Sequence, residues 1–324
     1  MVEEAEILAP PSDGVTSMRF SHSGNRAHLL VSSWDAVLRV YEGVKLRAKV
    51  ETDGPLLTCA YGASDSEAFT GGLDCHVKQI DVNTKQTRSL GTHSAAVRHV
   101  EYTKEYGESI GRTRQTGLAV SGGWDGAVKV WDVRSANGER IHEAKFDGKV
   151  FGMDLRSHLL VVATSTRQNA VYDLRNFSRP LLEKESPLKF QTRCVRVFPN
   201  LSGYALGSIE GRVALEYLTE NHAVDEQKSY AFKCHREKIE NESMIYPVNA
   251  IAFHPTLGTF ATGGCDGGVS VWDGDNKKRI CHLRKYPTSI AALDFNHDGS
   301  MLAIASSYTF EEGEKEYGFA DLST

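Results

Sequence analysis

Two twelve-residue stretches of this chain are near copies of each other. Residues 121–132 read SGGWDGAVKVWD and residues 262–273 read TGGCDGGVSVWD; a weaker version, TGGLDCHVKQID, occupies 70–81. Each leaves a strand-like run and turns tightly at an Asp, with Gly beside it in the two stronger copies. Each then alternates apolar with polar residues and closes on an apolar or aromatic residue followed by Asp. Self-similarity of this kind marks a repeat architecture, in which one unit cannot bury its own apolar face and neighbours must stack to make a core.

The turn aspartates, or the residues at the equivalent point, fall at Asp35, Asp74, Asp125, near Thr166, at Glu210, at Asp266 and near Tyr308. A WD40 propeller blade repeats every 40–45 residues or roughly so. The intervals Asp74–Asp125 (51) and Glu210–Asp266 (56) are longer. Polar insertions at 102–117 and 219–246 account for them, and both are expected as surface loops.

Inside one period, apolar alternation marks four strands separated by turn signals. The third period shows them best, with an inner strand at 97–102, then 118–123, 127–133 and an outer strand at 140–146. Inner strands are expected also at 15–20, 56–61, 151–155, 193–198, 248–253 and 290–295. The last unit has room for a third strand near 317–322 but none for a fourth. Residues 6–9 are expected to fill that slot and close the ring, which removes exposed sheet edges. The expectation is an all-β, seven-bladed WD40 β-propeller forming a single domain over 1–324.

Composition narrows the function classes. Apolar residues are 40% and charged residues 24%, ordinary for a globular chain. The net charge of -5 does not favour nucleic acid or a membrane surface. The start, MVEEAEILAPPSDG, lacks the basic and long apolar regions of a secretory signal. Six cysteines are scattered without a C-x-x-C pair, so reduced thiols and an intracellular protein are expected, with no metal and no cofactor.

His93, Ser121, Asp125 and Trp131 fall where one blade can link them by hydrogen bonds, and His235, Thr262, Asp266 and Trp272 repeat the set. The Asp can fix the turn by accepting backbone N–H groups, and a buried indole N–H needs an acceptor. A Ser, His and Asp together also suggest a hydrolase. A set that occurs twice is better read as architecture, so no catalytic residue is assigned. Function is then expected from a surface.

One face gathers unusual residues. Trp34 and Trp124 precede the turn aspartate, which puts them at its rim. Arg193 opens an inner strand, Arg212 follows a turn and Lys233 ends an outer strand; blade topology brings the three towards the same side, with Arg236 and Lys238 following. A local cationic patch on an acidic protein suits an acidic or phosphorylated peptide. The acidic run 311–316 (EEGEKE) reads as a hairpin tip.

The segments LLVSSWD (29–35), SGGWDGAVKVWD (121–132), KFQTRCVRVFPN (189–200), SIEGRVALEY (208–217), YAFKCHR (230–236), IYPVNAIAFHP (245–255), TFATGGCDGGVSVWD (259–273), YPTSIAAL (286–293) and LAIASSY (302–308) resemble one WD-repeat family. It is the spindle-assembly-checkpoint family called budding uninhibited by benzimidazoles, third member, and the likeness covers nearly the whole chain. The resemblance implies a non-enzymatic adaptor, nuclear and at kinetochores in mitosis, that is a monomer by itself. It implies binding of a short acidic segment of checkpoint kinases and kinase-like proteins, matched here by Arg193, Lys233, Trp34 and Trp124. It further implies reading of phosphothreonine in Met-Glu-Leu-Thr repeats of a kinetochore scaffold, matched by Arg212 and Lys233. Two departures stand out: ATSTRQNAVYDL (163–174) lacks the Gly-Asp turn, and the loop 101–115 is longer and more basic than the family pattern. The sister family in messenger-RNA export, which binds a nucleoporin, is the alternative. A ubiquitin-ligase substrate receptor would need a docking surface not recognisable in the sequence.

Overall fold

The computed structural model describes residues 4–22, 28–104, 117–135, 138–311 and 313. Six antiparallel four-stranded sheets follow one another along the chain. The first holds β1 (Val15–Phe20), β2 (His28–Ser33), β3 (Val37–Glu42) and β4 (Lys45–Glu51). The second holds β5 (Leu56–Tyr61), β6 (Glu67–Gly72), β7 (His76–Asp81) and β8 (Thr87–Thr92). The third holds β9 (Val97–Thr103), β10 (Leu118–Gly123), β11 (Ala127–Asp132) and β12 (Glu139–Lys145).

The fourth sheet is β13 (Val150–Arg156), β14 (Leu159–Thr164), β15 (Gln168–Asp173) and β16 (Leu182–Glu185). The fifth is β17 (Thr192–Val197), β18 (Gly203–Ser208), β19 (Arg212–Tyr217) and β20 (Tyr230–Lys233). A hairpin of β21 (Arg236–Ile239) and β22 (Glu242–Ile245) precedes the sixth sheet, which is β23 (Val248–Phe253), β24 (Thr259–Gly264), β25 (Val269–Asp273) and β26 (Lys278–His282). A two-stranded sheet of β27 (Ile290–Phe295) and β28 (Leu302–Ser306) ends the described chain. There is no α-helix among the described residues. The architecture is an all-β WD40 β-propeller.

The first strand of each sheet lies innermost. β1 packs beside β5, β5 beside β9, β9 beside β13, β13 beside β17, β17 beside β23, β23 beside β27, and β27 returns to β1. The second strands are covered on both faces, which is why HLLVSS, LAVSGG, LLVVAT and GYALGS are buried throughout. The outer strand β4 (KLRAKVE) instead alternates exposed and covered positions, the pattern of a strand with one wet face.

The repeated Gly-Gly has a specific cause. A Cβ on Gly122 would lie 2.9 Å from Val150 Cγ1, and one on Gly263 would lie 2.4 Å from Ile290 Cγ2. The first glycine therefore lets the next inner strand pack close. A Cβ on Gly123 would meet His93 Nδ1 at 2.6 Å, and one on Gly264 would meet His235 Nδ1 at 2.4 Å, so the second glycine makes room for the histidine. Trp131 packs with Phe69, Leu90 and Val97 across the junction of the second and third sheets.

Some expectations change. The insertion 219–246 is more than a loop: its end forms the β21–β22 hairpin, whose exposed Ile239, Met244 and Ile245 broke the apolar alternation that marks half-buried strands elsewhere. Residues 6–9 are not a strand. Leu8 N–H donates to the Val44 carbonyl (2.7 Å) and Ile7 packs among Met18, Phe20 and Ala305. The strand expected at 317–322 and most of the loop 101–115 lie outside the described residues, as does the run 311–316 apart from Glu311 and Gly313.

Candidate functional site: a peptide-binding face

Every inner strand begins with a register shift against its second strand. A β-bulge adds one unpaired residue and re-aims its side chain. The extra residues are Thr16, Leu57, Arg98, Phe151, Arg193, Asn249 and Ala291, and all of them line one depression of about 640 Å3. Trp34, Trp124, Tyr308 and Phe310 line it as well. One face of the ring thus carries a cavity whose wall is built from equivalent positions of successive sheets.

The two tryptophans are equivalent by hydrogen bonding. Trp34 N–H donates to the Gly14 carbonyl and Trp124 N–H to the Ala96 carbonyl, both at 2.9 Å. Leu73 holds the same position in the sheet between them, bonded to the Pro55 carbonyl. Trp34 is 41% and Leu73 40% exposed, a large apolar pair left at a rim. Lys149 Nζ lies 5.3 Å from the centre of the Trp124 ring, a cation–π contact that restrains it.

Arg193 is half-buried, and its guanidinium meets Glu311 Oε1 at 3.2 Å. Arg212 and Lys233 lie farther out on the same sheet. The register pairs Thr192 with Ser208 and Arg212 with Lys233, so all three cations sit at the end where the β18–β19 turn emerges. Arg212 Nε is 2.7 Å from Glu210 Oε1, and Lys233 is exposed. The structure brings Trp34, Trp124 and Arg193 together in the cavity and places Arg212 and Lys233 on its outer flank. Arg236 and Lys238 lie in the hairpin beyond.

Sequence reasoning missed Arg98. It is the bulge residue equivalent to Arg193, and its Nη1 donates to the Leu57 carbonyl at 2.9 Å. Its pKa is pushed down to about 10, first by burial and then by the like charges of Arg193 and Arg19. It remains a cation at neutral pH. The signal was there, an Arg as the second residue of an inner strand, but the bulge that turns it inward is set by register.

The buried hydrogen-bond chains are explicit. Trp131 Nε1 donates to Ser121 Oγ (2.8 Å), His93 Nε2 is 2.8 Å from the same oxygen, and His93 Nδ1 is 2.9 Å from Asp125 Oδ1. One tautomer satisfies every atom: Ser121 donates to Nε2, and Nδ1–H donates to the carboxylate. Trp272, Thr262, His235 and Asp266 repeat the chain at 2.9 Å throughout. Burial, more than the pull of Asp125, lowers the His93 pKa and favours the neutral ring. Burial also opposes ionisation of Asp125, but hydrogen bonds from His93, Ser94 and Ala127 outweigh it and hold its pKa below the ordinary value. Ser121 is completely buried, so its hydroxyl cannot meet a substrate. The fourth sheet has no such chain: Thr164 Oγ1 pairs with Thr166 Oγ1 at 2.9 Å instead.

The opposite mouth of the ring is different in character. Arg19, Glu101, Asp154, Arg196 and Asp294 surround it, with Arg19–Glu101 at 2.5 Å and Arg196–Asp154 at 2.8 Å. Those charges largely neutralise one another. No cluster of His, Cys, Asp or Glu among the described residues could hold a metal ion.

The family model described as "WD domain, G-beta repeat" matches residues 5–42, 84–132 and 230–273. The chain is 49% identical over 315 residues to "Mitotic checkpoint protein BUB3.1" of Arabidopsis thaliana, covering 96% of this chain and 88% of the relative. It is 42% identical over 315 residues to "Mitotic checkpoint protein bub-3" of Caenorhabditis elegans, covering 95% and 89%. It is 35% identical over 321 residues to "mRNA export factor GLE2" of Chaetomium thermophilum, covering 96% and 85%. On the identity and extent of these matches, the chain belongs to the mitotic checkpoint BUB3 family of WD-repeat proteins.

Proposed function

We propose that the chain is a non-enzymatic adaptor of the spindle-assembly checkpoint, nuclear and at kinetochores in mitosis, and a monomer by itself. It binds an acidic segment of checkpoint kinases through Trp34, Trp124, Arg193 and Lys233. It reads phosphothreonine in Met-Glu-Leu-Thr repeats of a kinetochore scaffold through Arg212 and Lys233, and so recruits the kinases. The observation that carries this reading is the meeting of two tryptophans and Arg193 in one cavity, flanked by Arg212 and Lys233 on the same face. A phosphothreonine brings about -1.5 to -2 charges and three acceptor oxygens, which suits a paired cationic site.

In this reading the ring has seven blades, with β27 and β28 as the start of the seventh. Support comes from the closed order of inner strands and from Ser307 N–H, which donates to the Ser289 carbonyl as Trp34 does to Gly14.

The export reading is the alternative, and the export relatives match at lower identity, 34–35%. Affinity purification from mitotic cells separates the two. Checkpoint kinases and a phosphorylated kinetochore scaffold are expected among the bound chains. Nucleoporins without kinases would replace the checkpoint reading with the export one.

A further inference from the structure

The cationic wall of the cavity already holds a carboxylate of its own chain. Glu311 Oε1 meets Arg193 at 3.2 Å and accepts from Cys265 Sγ at 3.0 Å; Oε2 accepts from Ser289 Oγ at 3.3 Å. Thr309 Oγ1 donates to Oε1 as well. The residues leading to it, Tyr308, Thr309 and Phe310, line the cavity, with Phe310 at φ 61°, a left-handed conformation uncommon for a bulky side chain. Phe310 is also 64% exposed, so burial of its ring does not anchor the segment. Polar contacts of Glu311, including the one to Arg193, help to hold it over the cavity.

We propose that Glu311 is a built-in stand-in for the partner's acidic side chain, which an incoming segment must displace from Arg193; the inference rests on the reading of this face as an acid-binding one. Two guanidiniums, Arg98 and Arg193, line the cavity, and of these two only Arg193 has a carboxylate partner among the described residues. An arriving carboxylate competes with Glu311 for Arg193, beside an Arg98 that has no such competitor. The contact lowers the apparent affinity of every arriving carboxylate for Arg193 by one common factor, so only segments with further contacts on this face bind well.

The test uses the full chain and a fluorescent synthetic peptide carrying the acidic segment of a checkpoint kinase. Glu311→Gln is expected to tighten binding about two- to fivefold, the scale of one partly exposed ion pair. Arg193→Ala weakens binding, and adding Glu311→Gln to it brings no further gain. Unchanged or weaker binding by Glu311→Gln, with Arg193→Ala still impaired, would overturn the proposal and leave the acid-binding reading intact. Wild-type affinity in Arg193→Ala would overturn both. Should Glu311→Gln fold poorly, Ser289→Ala loosens the same carboxylate without touching Arg193. A smaller gain in affinity is expected there, and no gain counts against the stand-in.

Discussion

Arg212 on β19 and Lys233 on β20 stand directly opposite one another as register partners. Like charges so placed repel and destabilise a sheet. Glu210 compensates one of them, at 2.7 Å from Arg212. In the proposed reading, a doubly charged phosphate between the two side chains would turn this repulsion into attraction.

Arg212→Ala is therefore expected to weaken binding of a phosphorylated Met-Glu-Leu-Thr peptide by about 1.5–3 kcal/mol, the scale of hydrogen bonds to charged groups. Thermal unfolding should move little, because the loss of the partly exposed Arg212–Glu210 pair is offset by relief of the repulsion from Lys233. Titration calorimetry with wild-type affinity in the variant would remove Arg212 from the site.

Binding of the acidic segment should fall steadily as salt rises. Partly exposed ion pairs are screened over about 8–10 Å at 0.1–0.15 M salt, and Arg193 and Lys233 are both reachable by solvent. An affinity that stays flat across a salt series would assign recognition mainly to Trp34, Leu73 and Trp124.

Ser121→Ala should lower the unfolding midpoint. It leaves the Trp131 indole N–H and His93 Nε2 without their shared partner in a fully buried position. The cost is about 1–3 kcal/mol per unsatisfied group. Unchanged denaturation would show that the chain of bonds is dispensable for stability.

Stability should also fall on mild acidification. Burial lowers the pKa of His93 and pushes that of His99 well below 6.5, with Arg98 adding to the effect on His99. Below pH 6.5 the unfolded chain takes up protons that the folded protein excludes. The loss therefore begins near pH 6.5, grows as pH falls towards the folded values, and is absent above pH 7.5 or so. Equal urea midpoints at pH 7.5 and 5.5 would contradict neutral imidazoles in the folded state.

How far the residues alone lead follows from the range of each interaction. The SGGWDG and TGGCDG turns, the strands around them and the His93 and His235 chains were legible because they recur, and because their partners sit at fixed offsets within one repeat. The position of Trp34 and Trp124 was legible for the same reason: each directly precedes a turn aspartate. The cavity was not. Arg98 and Arg193 enter it only because a bulge shifts the register by one residue, and side chains in a strand change face with every such step. Glu311 reaches Arg193 across 118 residues of sequence, through a ring closure that no local pattern encodes. Repetition in the chain determined the sheets and the chains of bonds that brace them; the closing of those sheets into a ring decided which charges meet.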